Sequence, residues 1–254
     1  MIKFKLLLLF SIIINAVSFS QWTNNTDYNT IINDLSGEQA IPKIATLSDG
    51  SSYVGFFSND ASNYDIRLQK IDSEGNLLWD NNGLLISNHT QQSWISDWEI
   101  TVDNDDNCIL VFSDIRDGNP NIFAYKIDPD GSFLWGADGI SLSNNTSEEY
   151  APKVIVTDSN NAIVTWDINE GSITKIKLQK ITPSGELPWG EDGILFQSGE
   201  SSYAGAVLVP SDEDNFIATY YHQQGNFPYY DIRHIYSQKF SGDGVTVWDE
   251  ECLV

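Results

Sequence analysis

Apolar residues in this chain recur in short runs with the period of an extended strand, and none sustains the three-to-four spacing of a helix. Runs such as IRLQKI (66–71), IFAYKI (122–127) and KIKLQKI (175–181) are rich in β-branched and aromatic residues. Each ends at a turn signal, DSEG, DPDG or TPSG, whose first side chain can cap the turn and whose final glycine tolerates a positive φ. The chain then returns through a run closing on tryptophan: NLLW, SFLW, ELPW and, in a looser fourth copy, VTVW. Two further apolar runs precede each hairpin, for example PKIATL (42–47) and YVGFF (53–57), with a polar turn between them. The pattern predicts units of four strands, the tryptophan lying on the last.

In every unit a glycine precedes a tryptophan by four residues: Gly75 and Trp79, Gly131 and Trp135, Gly185 and Trp189, Gly244 and Trp248. Successive tryptophans stand 56, 54 and 59 residues apart, a period that marks repeated supersecondary units. The second strand of each unit alternates only weakly, so both of its faces should be covered. A blade between two neighbouring blades meets that condition and a one-sided sheet does not. The expected fold is all-β, a β-propeller of about four recognisable four-stranded blades, incomplete or open. A β-sandwich of consecutive hairpins is the rival arrangement. The expected boundaries are a signal peptide at 1–20, an orphan outer strand and linker at 21–40, and repeats at 41–94, 95–150, 151–203 and 204–254. The orphan strand rests on QWTNN (21–25), which echoes LWDNN (78–82). Because the fourth unit has its own final strand, the arrangement is expected to be a fragment or to close by unusual pairing.

The shared I/L-D-x-x-G-x-x-x-W core resembles the tryptophan-docking motif of quinoprotein (PQQ-type) propellers. Ile71, Asp72, Gly75 and Trp79 match it, as do Ile127, Asp128, Gly131 and Trp135, while Thr182 and Ser241 replace the Asp in the later copies. The resemblance implies that each tryptophan locks its blade to the next. It does not extend to the cofactor, since the chain has no adjacent cysteine pair. Residues 21–254 as a whole also resemble secreted bacterial propeller-like proteins exported by type IX secretion, most of them without an assigned activity.

Composition narrows the setting. Lys3 and Lys5 precede the apolar run LLLLFSIIINAV and the small-residue stretch SFS, an export signal cut near Ser20 and Gln21. The mature protein is therefore expected outside the cell or on its surface, without membrane insertion. A formal net charge of −23 argues against nucleic-acid partners and anionic membranes, which call for basic patches. Of the two cysteines, Cys108 aligns with Tyr53, Ala162 and Phe216 as a small buried hydrophobe, and its pairing with Cys252 stays open.

No catalytic constellation stands out. His89, His222 and His234 lack metal-ligand spacing, and no nucleophile elbow, zinc motif or phosphate loop is present. Acidic turns at 103–107 and 212–215 carry oxygen ligands of the kind Ca²⁺ takes. They fall where the other units place ordinary hairpin turns, so turn chemistry is favoured and no cofactor is expected. The loops between second and third strands and between blades share one rim, which carries Trp94, Trp98, Asp114, Arg116, Asp117, Tyr150, Tyr203 and His222. Aromatic platforms beside hydrogen-bonding groups suit a sugar, although blade packing and a local ion pair would explain the same residues. The sequence points to an exported, non-catalytic propeller that binds a glycan or protein partner on this rim. The alternative is a secreted carbohydrate-active or quinone-dependent enzyme on the same scaffold.

Overall fold

The structure is a computed structural model that describes residues 29–59, 63–91, 97–197, 199, 201–226, 229–249 and 252–253. The export signal, Trp22 and Trp94 lie outside the described residues.

The first sheet holds β1 (Glu38–Thr46), β2 (Ser52–Asn59), β3 (Tyr64–Ile71) and β4 (Leu84–Ser87). The second holds β5 (Glu99–Val102), β6 (Cys108–Asp114), β7 (Asn121–Ile127) and β8 (Ile140–Ser141). The third holds β9 (Glu148–Val156), β10 (Ala162–Glu170), β11 (Ile173–Ile181) and β12 (Ile194–Phe196). The fourth holds β13 (Ser202–Pro210), β14 (Phe216–Asn226), β15 (Tyr229–Phe240) and β16 (Cys252–Leu253). Each is an antiparallel meander with its strands in sequence order, and the inner strands β1, β5, β9 and β13 adjoin one another in turn. This is the all-β, four-bladed propeller-like arrangement expected. Among the described residues, no contact of that extent joins the fourth blade back to the first, and no helix is long and apolar enough to cross a membrane.

Two sequence expectations are corrected. The tryptophans do not sit on the fourth strands. After three of the four glycine turns the chain forms a single bridge (Ile71 with Leu77, Ile127 with Phe133, Phe240 with Thr246), and in every unit it passes the tryptophan before it enters the outermost strand. The sharp re-entry needs a glycine. At Gly83 and Gly139, φ is +65° and +67°, and a Cβ would lie 2.7 and 2.6 Å from the carbonyl oxygens of Leu68 and Ala124. The alignment of the first unit was also one residue out. Ser52 pairs with Ile71 as Cys108 pairs with Ile127, Ala162 with Ile181 and Phe216 with Phe240, so Ser52 rather than Tyr53 is the counterpart of Cys108. A one-residue slip exchanges the two faces of a strand. Here both faces are apolar, so the pattern alone could not reveal it.

The cores lie between blades. Tyr53, Phe57, Ile66 and Leu68 of the first blade meet Cys108, Leu110 and Phe112 of the second, where Cys108 is a free, fully buried thiol whose pKa burial drives well above the ordinary range. Ile109 and Val111 of the second meet Ala162, Val164 and Trp166 of the third, and Ile163 and Ile176 of the third meet Phe216, Ala218 and Tyr220 of the fourth. Three further contacts repeat at each junction. The tryptophan of one blade lies against the glycine turn of the next: a Cβ on Gly131, Gly185 or Gly244 would meet the ring of Trp79, Trp135 or Trp189 at 3.8, 3.0 or 3.1 Å. A lysine ammonium (Lys70, Lys126, Lys180) donates to a carbonyl of that turn (Pro129, Pro183, Gly242) at 3.2, 3.5 and 2.9 Å. At the opposite edge, the amides of Ser48, Asn104 and Ser159 each donate at 2.8 Å to the side chain of a left-handed turn residue in the next blade, Asp106, Asn160 or Asp214.

Candidate functional site

Inner strands can present side chains to the axis of a propeller, and three of them carry a β-bulge. The ladder slips between Ala40 and Lys43 and between Ala204 and Val207, and β9 slips opposite Thr165 and Asp167. At the bulges Ile41, Ala151 and Gly205 have φ of 47°, 53° and 64°, a conformation that costs energy in a β-branched residue such as isoleucine. Bulges re-aim the residues that follow them. Lys43 stands opposite Gly55, Glu99 opposite Val111, Lys153 opposite Thr165 and Val207 opposite Thr219, which puts these four at one level around the axis.

Charge converges at that level. Lys43 Nζ lies 2.9 Å from Asp97 Oδ1, Lys153 Nζ pairs with Asp97 Oδ2, and Lys153 Nζ is also 3.5 Å from Glu99 Oε2. Partial burial works to raise the pKa of Asp97, but the hydrogen bonds and charges of Lys153 and Lys43 outweigh it and hold the carboxyl below the usual range. Asp167 behaves in the opposite way. It lies on β10 opposite Tyr150, is 6% exposed, and receives the amide of Gly205 at 3.0 Å on each oxygen. Burial pushes its pKa up to about 7, against the smaller effect of that amide. Two carboxyls on the inner part of neighbouring blades are thus driven apart in acidity, one kept ionised and one kept protonated to near neutrality.

The rim residues expected from sequence do not converge. Trp98 is fully buried, its indole N–H donating to Ile41 O at 2.9 Å and its ring filling the space a side chain at Gly55 would need, 2.6 Å from that Cβ position. Tyr203 is buried among Phe196, Tyr220 and His222 at ring distances of 5.1, 4.9 and 5.0 Å. Both are blade-packing residues, which corrects their assignment to a ligand surface. Asp114 is buried and holds Arg116, whose remaining donors reach Asp138 O at 2.8 Å and Tyr125 Oη at 3.0 Å while the guanidinium lies 3.7 Å over Phe123. Tyr150 is half-buried and donates to Asn169 Oδ1 at 3.0 Å. His222 is half-buried between Tyr203 and Tyr236, with no hydrogen-bond partner for Nε2 among the described residues. Asp117 lines a groove of about 420 Å³ between the second and third blades, shared with Ser141, Ser143, Asn144, Leu187 and Glu191. Of the glycine-turn tryptophans Trp135 is buried, while Trp79, Trp189 and Trp248 are half-buried.

The acidic turns are occupied by protein. Asp106 takes the amide and hydroxyl of Ser48, Asp103 pairs with Lys126 at 2.7 Å and with Asn107, Asp214 takes Ser159, and Asp212 pairs with Lys239. Among the described residues no group of three or more His, Cys, Asp or Glu is placed to hold a metal ion. Sequence reasoning missed Lys43, Asp97, Glu99, Lys153 and Asp167. One signal was there: IPK (41–43) and APK (151–153) place a lysine at the same point of two repeats.

No protein-family model matches the chain, and no curated protein matches it. Solved structures do. The α-L-arabinanase of Penicillium chrysogenum complexed with arabinobiose superposes with a TM-score of 0.56 at 10% identity, over 85% of this chain and 66% of that one. An α-L-arabinofuranosidase of Fusarium graminearum with an iminosugar inhibitor superposes with a TM-score of 0.53 at 12% identity, again over 85% and 66%. This chain thus spans just under two thirds of each enzyme. At such identity the likeness is one of fold, and it supports the propeller.

Proposed function

We propose that the protein is an exported carbohydrate-active enzyme that receives a glycan at the axial end of the propeller and cleaves a glycosidic bond. The observation that carries this reading is the split acidity of Asp167 and Asp97. Glycoside cleavage needs one carboxyl that can give a proton to the leaving oxygen and one that stays ionised as base or nucleophile. Asp167, protonated up to about pH 7, takes the first role, and Asp97, flanked by Lys43 and Lys153, takes the second. The fold likeness to an α-L-arabinanase and an α-L-arabinofuranosidase makes arabinan the first substrate to try.

The test is reducing-sugar release from arabinan and a panel of other plant and bacterial polysaccharides. Asp167→Asn and Asp97→Asn should each lower kcat/KM by about 10²- to 10⁴-fold while leaving the fold intact. Absence of turnover on the whole panel, with glycan binding retained, would replace this reading by a second one. In that second reading the same end of the propeller binds a glycan without cleaving it. It is favoured by the clamp of two lysines on Asp97, which holds both carboxylate oxygens.

A further inference from the structure

One isoleucine recurs at the same register point of every blade. Ile66, Ile122 and Ile176 stand opposite Phe57, Ser113 and Asp167, and each is 0% exposed under the following blade. The fourth copy, Ile235 opposite Tyr221, is 44% exposed. On the same face Val207 and Val209 are 53% and 51% exposed. The outgoing lysine follows suit: Lys239, the counterpart of Lys70, Lys126 and Lys180, turns back to Asp212 of its own blade. The fourth blade therefore presents the surface that the first three blades bury.

The first blade is a poor match for it. Its left-handed turn position is Gly50, which has no side chain to accept a turn amide as Asp106, Asn160 and Asp214 do. Its incoming face is also partly occupied, for Ile31, Ile32 and Asn33 lie over Pro42, Val54 and Phe56 around a cavity of about 260 Å³. That excludes a head-to-tail second copy on the same grounds.

We infer that the outgoing face of the fourth blade docks one further β-blade of this same repeat type. Three observed junctions define what that blade must carry. It needs Asp or Asn at the left-handed position of its inner hairpin, a glycine turn that can receive Trp248 and the Lys239 ammonium, and an aromatic at the place of Phe112, Trp166 and Tyr220. Continuity with an interface already built three times is the argument, and apolar area is its driving force.

The experiment fuses a copy of residues 142–201, the third blade with its natural approach, to the end of the full chain. The fusion should unfold in one transition with its midpoint raised on the order of 5 °C, and the emission of Trp248 should shift to the blue. Carrying Asn160→Gly and Gly185→Val in the appended copy should abolish the rise. An unchanged midpoint, a separate second transition, or an equal rise with the altered copy would each overturn the inference. So would a parent chain that sediments as a dimer and becomes monomeric on Ile235→Lys, because a second copy would then be the occupant. None of these readouts depends on glycan turnover.

Discussion

At the hairpin-turn end of the blades Asp103, Asp106 and Asp214 face donors supplied by the protein: an ammonium, a serine amide with its hydroxyl, and another serine amide. At the axial end Asp97 sits between two lysines with nearly half of its side chain in solvent, and Asp167 sits almost wholly buried, accepting the amide of Gly205. Both ends are rich in one residue type, and composition does not distinguish them. Position does. Asp106 and Asp214 close junctions between blades and Asp103 neutralises a buried lysine of its own blade, so their bonding goes to stability. The axial pair divides into an ionised and a protonated carboxyl, a state that structure alone does not require. Perturbed acidity of that kind is where chemistry is to be looked for.

The sharpest way to break the comparison is at a turn. Asp103→Ala leaves the Lys126 ammonium, 4% exposed, without its counter-charge. We expect a loss on the order of 3–5 kcal/mol in denaturant unfolding, mostly recovered when Lys126→Met is added. A loss below about 1 kcal/mol would mean that water or a neighbouring carbonyl serves Lys126 equally well.

Next in size is the pH dependence at the axis. The folded protein holds the Asp167 proton up to about pH 7, whereas the ordinary value is 3.8. Between those values the folded state binds the more protons, so stability falls as pH rises, by roughly 4 kcal/mol in total. Asp167→Asn should flatten this slope. The turn acids act with the opposite sign: Asp212, held at about 2 by Lys239 and Ser211, and Asp103 and Asp214, both lowered, withdraw their contribution as pH drops below about 4. Urea midpoints across the range should therefore peak in weakly acidic buffer, and a peak above pH 7 would contradict the environment assigned to Asp167.

Smaller effects sharpen the contrast. Asp106→Gly keeps the positive φ of 62° available and removes only the acceptor for Ser48, so it should cost about 1 kcal/mol. Lys43→Ala should change stability by less than about 0.5 kcal/mol, because its pair with Asp97 is partly solvated. It should nonetheless move the acidic limb of any pH–rate profile upward, since one of the two charges that hold Asp97 ionised is gone. A profile that does not move would separate Asp97 from the chemistry.

How much of this the sequence discloses depends on whether a feature is local. The glycine-to-tryptophan spacing, the hairpin turns and the four-fold repeat are local, and each appears in the structure where the pattern placed it. The outer strands were misplaced because Trp79 and its counterparts close an apolar run, yet the backbone bends at Gly83 before the ladder resumes at Leu84. The slip in the first unit escaped because Ser52 and Tyr53 are both buried, which removes the polar face that normally fixes register. The axial cluster is non-local altogether. Lys43, Asp97 and Lys153 belong to three different blades, and only bulges that bring inner strands to a common level make them neighbours.

Cys108 offers a clock. Its thiol lies sealed between the first two blades, and no alkylating reagent can reach it until those blades part. In a Cys252→Ser background, the rate at which a maleimide label appears on residue 108 would time that parting directly. Compared with the rate of global unfolding, it would tell whether the propeller breathes one seam at a time or opens all of its seams together.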